Sequence, residues 1–172
     1  HKLSIKAEVP LDAFYKAWHI PGRMDAGYHA VDLISEILGG GGSSRLFQSL
    51  VKEKQLFSNI ECYHFGSLDA GLLAIDGKPV KGVKMQDAED AIEEELNKIK
   101  ELAVSEEELQ KVKNKTESLI AFEDIAVMSR ATSLAFYELL GNADLINQEL
   151  SKYNAVTIAD IQQYSNQIFN AD

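Results

Sequence analysis

At 172 residues the chain falls within the range of one domain, long enough to bury about 70% of its unfolded surface and so to hold a core without covalent staples. A formal net charge of -10 argues against a nucleic-acid surface, which needs clustered Lys and Arg to neutralise phosphates. The single cysteine, Cys62, excludes an internal disulfide framework and a cysteine-based metal site.

No apolar run approaches the length of a bilayer span, and the opening HKLSIKAEVP lacks the basic-then-apolar pattern of a signal peptide. A soluble chain, cytoplasmic or periplasmic, is expected; if the chain is a fragment, a signal or anchor upstream stays open. Residues 3–9 alternate apolar and polar side chains at the period of a half-buried strand, ended by Pro10. A second strand is expected over residues 13–20, with Phe14, Tyr15 and Trp18, before Pro21-Gly22, and the two read as antiparallel neighbours. Asp25 is placed to cap a helix running from near Ala26 to Leu38, whose apolar positions are Val31, Leu33, Ile34, Ile37 and Leu38.

Four glycines, Gly39 to Gly42, interrupt that helix. Gly39 is expected to close it in the left-handed conformation, Gly40 to Gly42 to allow close packing of two helices, and Ser43 or Ser44 to cap a second helix carrying Leu46, Phe47 and Leu50. The rival reading, a phosphate cradle, lacks its chemistry: no Gly-Lys-Ser/Thr follows, and a helix precedes in place of a strand. Residues 58–65 predict a strand with Ile60, Cys62 and His64 on one face and Glu61, Tyr63 and Phe65 on the other. Apolar groups on both faces suggest a strand covered on each side or paired with another domain. A turn at residues 66–71 returns the chain as a further strand from Leu72, pairing with the one before.

From about Lys84 the period becomes helical. Val83, Ala88, Ala91, Ile92, Leu96, Ile99 and Leu102 form one stripe, and Asp87, Glu89, Asp90, Glu93 and Glu94 an acidic opposite face. Ser105-x-x-Glu108 is a capping-box signature for the next helix, with Leu109, Val112, Leu119, Ile120 and Phe122 as its stripe. A helix over residues 129–140 stops at Gly141-Asn142, a short one covers residues 145–153, and Thr157 caps a last one through Ile168, three residues ahead of Asp160. The pattern gives an α+β domain, residues 1–172, with a twisted antiparallel sheet and helices mainly on one face.

The residues that carry chemistry are sparse. The histidines are His1, His19, His29 and His64, none with a second histidine three to five residues away, so no His-x-x-Glu-His zinc helix exists. His29 with Asp32 one turn on reads as a solvated helix-start pair. Cys62 near His64 reads as a buried structural cysteine, since no third group orients a base. The runs Glu93-Glu94-Glu95 and Glu106-Glu107-Glu108 lack the glycine-punctuated spacing of a calcium loop and read as solvated helix surface.

Ile37-Leu-Gly-Gly-Gly-Gly-Ser-Ser-Arg-Leu-Phe47, followed by Leu50 and Lys52-Glu53-Lys54, resembles the C-terminal-type, non-zinc-binding domain of the pitrilysin-like or insulysin-like zinc metallopeptidases, the family of insulin-degrading enzyme and mitochondrial processing peptidase. The resemblance continues through residues 105–114, 135–141 and 154–161. It implies the same α+β architecture and a fragment of a longer two-domain chain. It implies an inactive peptidase domain that helps close a chamber around peptide substrates and pairs with a zinc-bearing domain in the same chain or a partner subunit. It places zinc in the parent protein or its partner and none in this domain. The family pattern is roughly Leu-Arg-Glu-Lys-x-Gly-Leu-Ala-Tyr-Ser. Aligned on Leu50 and Leu56, its arginine falls on Val51, its glycine on Gln55 and its tyrosine on Ser58, so both substrate anchors are missing and no catalytic, substrate-binding or metal residue carries over. The other function compatible with these letters is a scaffold domain of a larger complex with no peptidase role.

Overall fold

The structure is a computed structural model, described over residues 12–123 and 125–170. Three strands, β1 (Phe14–Ile20), β2 (Phe57–Phe65) and β3 (Gly71–Pro79), form an antiparallel sheet in the order β1-β3-β2. Register pairs Tyr15 with Asp76, Ala17 with Ala74 and His19 with Leu72 on one side of β3. On the other side Glu61 pairs with Asp76, Tyr63 with Ala74 and Phe65 with Leu72. The strand expected over residues 3–9 lies outside the described residues.

Alternation gives the sheet two unlike faces. Ile60, Cys62, Leu73 and Ile75 are buried beneath helix α1 (Tyr28–Gly39), which turns Leu33, Ile34, Ile37 and Leu38 toward them. Each fully buried aliphatic side chain here contributes about 1.5–3 kcal/mol relative to exposure. Helices α2 (Met85–Glu101) and α6 (Ile158–Ile168) extend the same layer, α6 packing against both α1 and α2. Trp18 meets the Phe169 ring edge-on at 5.1 Å, joining the end of α6 to β1. The opposite face is bare among the described residues: Tyr15 is 77% exposed, Phe65 58%, Leu72 41% and Tyr63 39%. Of the two readings of β2, covered on each side or paired with another domain, the first is not met among the described residues.

The glycine corner differs in detail from its sequence reading. Gly39 is still helical, and a Cβ there would stand 2.1 Å from the Cys62 backbone nitrogen, so its service is close approach of α1 to β2. The left-handed residue is Gly41, at φ +103°. Ser44 caps nothing; its hydroxyl donates back to the Gly41 carbonyl at 2.7 Å. The expected second helix is a π-helix, Phe47–Glu53, with Lys54 N donating to Ser49 O five residues earlier at 2.8 Å. Asp25 does not cap α1 either: its Oδ2 accepts from Gly22 N at 3.0 Å, and the residue before α1 is Gly27.

Helix α3 (Glu106–Glu123) opens on half of its predicted box. Glu108 N donates to Ser105 Oγ at 3.1 Å, but the Glu108 carboxylate turns away to take a two-pronged bond from Arg45 at 2.8 and 2.7 Å. A charge-assisted fork outcompetes a single amide. Glu95, expected with its neighbours as solvated surface, is buried at 4% exposure and accepts from Ser49 Oγ and Lys98 Nζ, each at 2.7 Å. The stripe of α3 is buried at Leu109 and Val112 but exposed at Leu119 and Phe122. Helix α4 (Val127–Leu139) stops before Gly141, as the sequence predicts, and buries only Tyr137. A 3-10 turn (Ala143–Gln148) leads to α5 (Glu149–Ala155), and the capping box of Thr157 and Asp160 opens α6 complete.

Candidate functional site

The polar centre of the domain is a buried knot where α1, α4 and α5 meet the loop after β1. Arg23, on that loop, has its backbone N–H tied to Ser67 O at 2.9 Å and its side chain 8% exposed. Its Nη2 makes an ion pair with Glu149 Oε1 at 2.6 Å and donates to Tyr137 Oη at 2.8 Å. Its guanidinium also stacks on the Tyr28 ring, 4.7 Å from the centroid. His29 Nε2 reaches the same Glu149 oxygen at 3.1 Å, and the His29 ring rests edge-on against Tyr153 at 4.8 Å. Tyr153 Oη donates to Asp32 Oδ2 at 2.5 Å, and His64 Nδ1 lies 3.3 Å from Asp32 Oδ1.

His29 and Asp32 are thus not a solvated pair. Each faces a separate partner, His29 toward α5 and Asp32 toward Tyr153 and the His64 of β2. Arg23, Tyr137, Glu149 and Tyr153 escape sequence reading because the contacts span 114 to 126 residues. The one trace in the sequence is the i, i+3 placement of His29 and Asp32 on α1.

The electrostatics lock the knot in one charge state. Burial opposes ionisation of Glu149, yet hydrogen bonds from His29 and Arg23 and the guanidinium charge outweigh it, holding its carboxyl at about 2. Burial, with the Glu149 charge, pushes Tyr137 up to about 12, and burial with the Asp32 charge pushes Tyr153 up further. Burial lowers His64, against the pull of Asp32 and with help from Arg23 and His29. A cavity of about 660 Å³ opens beside the knot, with Leu119, Ile120, Leu134 and Ile146 among its apolar lining and Glu36, Glu123 and Arg130 among its charged groups. Cys62 is buried, and burial raises its thiol, so it is held as a thiol and not as the nucleophilic thiolate.

The donors here do not suit zinc. Among the described residues no group of three His, Cys, Asp or Glu side chains stands close enough to hold a metal ion. Nε2 of His29 is engaged by a carboxylate and has Arg23 Nη1 at 3.3 Å, where a guanidinium repels a cation. The positions aligned with the family anchors lie apart from the knot. Val51 is half-buried against the core on the π-helix, and Ser58 is exposed at the start of β2, its hydroxyl donating to Lys78 O at 3.0 Å. Gln55, between them, stands at φ +52°.

An antiparallel sheet with helices on one face and a buried ion-pair knot beneath them define the class of α+β domain to which the chain belongs. The chain belongs to the family described as "Peptidase M16 inactive domain", whose sequence model matches residues 1–116. It is 27% identical over 153 residues to the Bacillus subtilis (strain 168) protein named "Uncharacterized zinc protease YmxG", covering 87% of this chain and 37% of that protein. The chain thus spans little more than a third of that relative. A protease from Helicobacter pylori has the same fold, with a TM-score of 0.87 at 21% identity over 96% of this chain and 40% of that one. So does the Bordetella parapertussis domain described as "the Inactive Peptidase Domain of a Putative Zinc Protease", with a TM-score of 0.82 at 20% identity over 94% of this chain and 86% of that one. Among the described residues no helix is long and apolar enough to cross a membrane.

Proposed function

We propose that this domain, residues 1–172, is the non-catalytic half of a two-domain zinc peptidase, its uncovered sheet face lining the chamber that encloses peptides. Zinc and the water it activates belong to the other half, in the same chain or a partner subunit. The observation that carries the reading is the asymmetry of the sheet: one face is sealed by α1 and its neighbours, while the other presents Tyr15, Tyr63, Phe65 and Leu72 uncovered by any described residue. The rings of Tyr15 on β1 and of Tyr63 and Phe65 on β2, with Leu72 on β3 between the two strands, offer apolar contact to an extended chain.

The substrate anchors of the family pattern are absent from this half. Gln55 supports that alignment, because the residue aligned with the pattern's glycine is a non-glycine in the left-handed region. Valine has no donor for a peptide carbonyl, and serine lacks the reach of a tyrosine. Fixing the substrate near the metal then falls to groups of the partner half.

The test places a photo-crosslinking phenylalanine analogue at Phe65 in the full parent protein and irradiates it with a bound peptide. Adduct formation on the peptide is expected. No adduct there, or stoichiometric zinc with chelator-sensitive peptide cleavage from this domain alone, overturns the proposal.

A further inference from the structure

The cavity of about 660 Å³ beside the buried knot has the volume of a small-molecule site, and clefts between packed helices are where such sites recur. Helix α3 supplies Leu119 and Ile120 to its walls, α4 supplies Leu134, and the 3-10 turn supplies Ile146. Helix α1 contributes Asp32 and Glu36, and α5 contributes Glu149. Apolar walls thus meet a row of carboxylates.

The charges of the lining do not balance. Asp32, Glu36, Glu123 and Glu149 stand against Arg23 and Arg130, and Lys115, outside the lining, pairs with Glu36 at 2.5 Å. With the histidines neutral, one negative charge is left over among these residues, the complement of a monocation. Asp32 and Glu36 also lie four residues apart on α1, a spacing at which like charges repel. Glu149 is only 7% exposed, its Oε1 is engaged by Arg23, and among the described residues nothing donates to its Oε2. Native structures seldom leave a buried carboxylate oxygen without a donor. The ligand that suits this lining therefore brings one positive charge, several N–H donors and an apolar body. A primary ammonium on a hydrocarbon chain has all three.

We propose that this cavity binds a small primary amine, its ammonium held by Glu36 and Glu149 and its apolar body lying along Leu119, Ile120, Leu134 and Ile146. The site belongs to the helical side of the domain, apart from the sheet face assigned to the peptide. It does not depend on the two-domain reading.

The experiment is calorimetric titration of the full parent protein with n-hexylamine at neutral pH, with hexanol and hexanoate as probes of matching length. The amine is expected to bind with a Kd of about 1 mM, roughly tenfold or more tightly than either the alcohol or the carboxylate. Leu134→Trp, at a position 43% exposed, fills the cavity from its rim and is expected to weaken the amine roughly tenfold. Glu36→Gln, which alters a part-exposed ion pair, is expected to weaken it about fivefold and decides the matter where tryptophan is not tolerated. Equal binding of hexanol makes the cavity an apolar cleft only, and a preference for hexanoate makes Arg130 its anchor; either result overturns the proposal. Amine binding unchanged in both variants places the amine elsewhere and overturns it too. So does the absence of binding up to about 10 mM, which leaves the cavity to water.

Discussion

Gln55 is the residue at which backbone and side chain disagree. At φ +52° an L-residue pays for contact between Cβ and the following carbonyl, about 1–2 kcal/mol, while glycine there costs part of that back in chain entropy. Gln55→Gly is expected to raise stability by about 0.5 kcal/mol, and Gln55→Val to lower it by at least 1 kcal/mol, read from urea midpoints. The buried knot gives a prediction of opposite scale. Glu149→Gln leaves the Arg23 guanidinium buried without its counter-charge, which costs roughly 3–5 kcal/mol. Acid acts on the same residues. His64 has a folded value below 6.5, so the unfolded chain binds the extra proton first and stability falls as pH drops through about 6.5. Glu149, held at about 2 against an ordinary 4.5, withdraws a second contribution of roughly 3 kcal/mol between pH 4.5 and 2. Urea midpoints at pH 7.5, 5.5 and 3.5 are expected to decline in that order, and a higher midpoint at pH 5.5 than at 7.5 contradicts the His64 assignment.

Among the elements, the glycine corner shows how much a repeated letter conceals. Gly39, Gly41 and Gly42 look alike in the sequence, yet an added Cβ would stand 2.1 Å from a backbone nitrogen at Gly39, in open space at Gly41 with φ +103°, and no nearer than 4.0 Å to any neighbour at Gly42. Gly39→Ala is expected to push α1 from β2 and cost about 1–3 kcal/mol, as overpacking does. Gly41→Val costs a similar amount through backbone strain alone, whereas Gly42→Ala stays within about 0.5 kcal/mol of wild type. Thermal melts of the three variants separate the two mechanisms from the silent position. Capping was legible where nothing competed: Thr157 and Asp160 form their box because both groups are free to do so. At Ser105 the partner Glu108 was claimed by Arg45, 63 residues away, a rivalry that local spacing does not register. The π-helix was illegible for a related reason, since its apolar positions fit a helix of either pitch over so few residues.

For the molecule as a whole, periodicity was enough to give the three described strands, the helical second half and the sheet-plus-helix layering, because burial of alternating and three-to-four-spaced side chains writes itself into the sequence. The family was legible too, through the run Ile37 to Phe47 and the segments after it. What stayed hidden were the contacts made by chain reversal: the Arg23 knot joins residues more than a hundred apart, and the bareness of one sheet face depends on what the helices fail to cover. That face also has a gradient along the strands. Glu61, Asp76 and Tyr15 make its acidic row, Tyr63, Ala74 and Ala17 the middle, and Phe65, Leu72 and His19 the other end. A ligand laid across the rings would be gripped by shape and dehydration more than by sequence. On the proposed reading of this face, sodium sulfate, which strengthens apolar burial, should tighten peptide retention at the Phe65–Leu72 end, while sodium chloride should loosen only what sits beside Glu61 and Asp76. Two salts, in other words, would tell which end of the sheet the proposed peptide prefers.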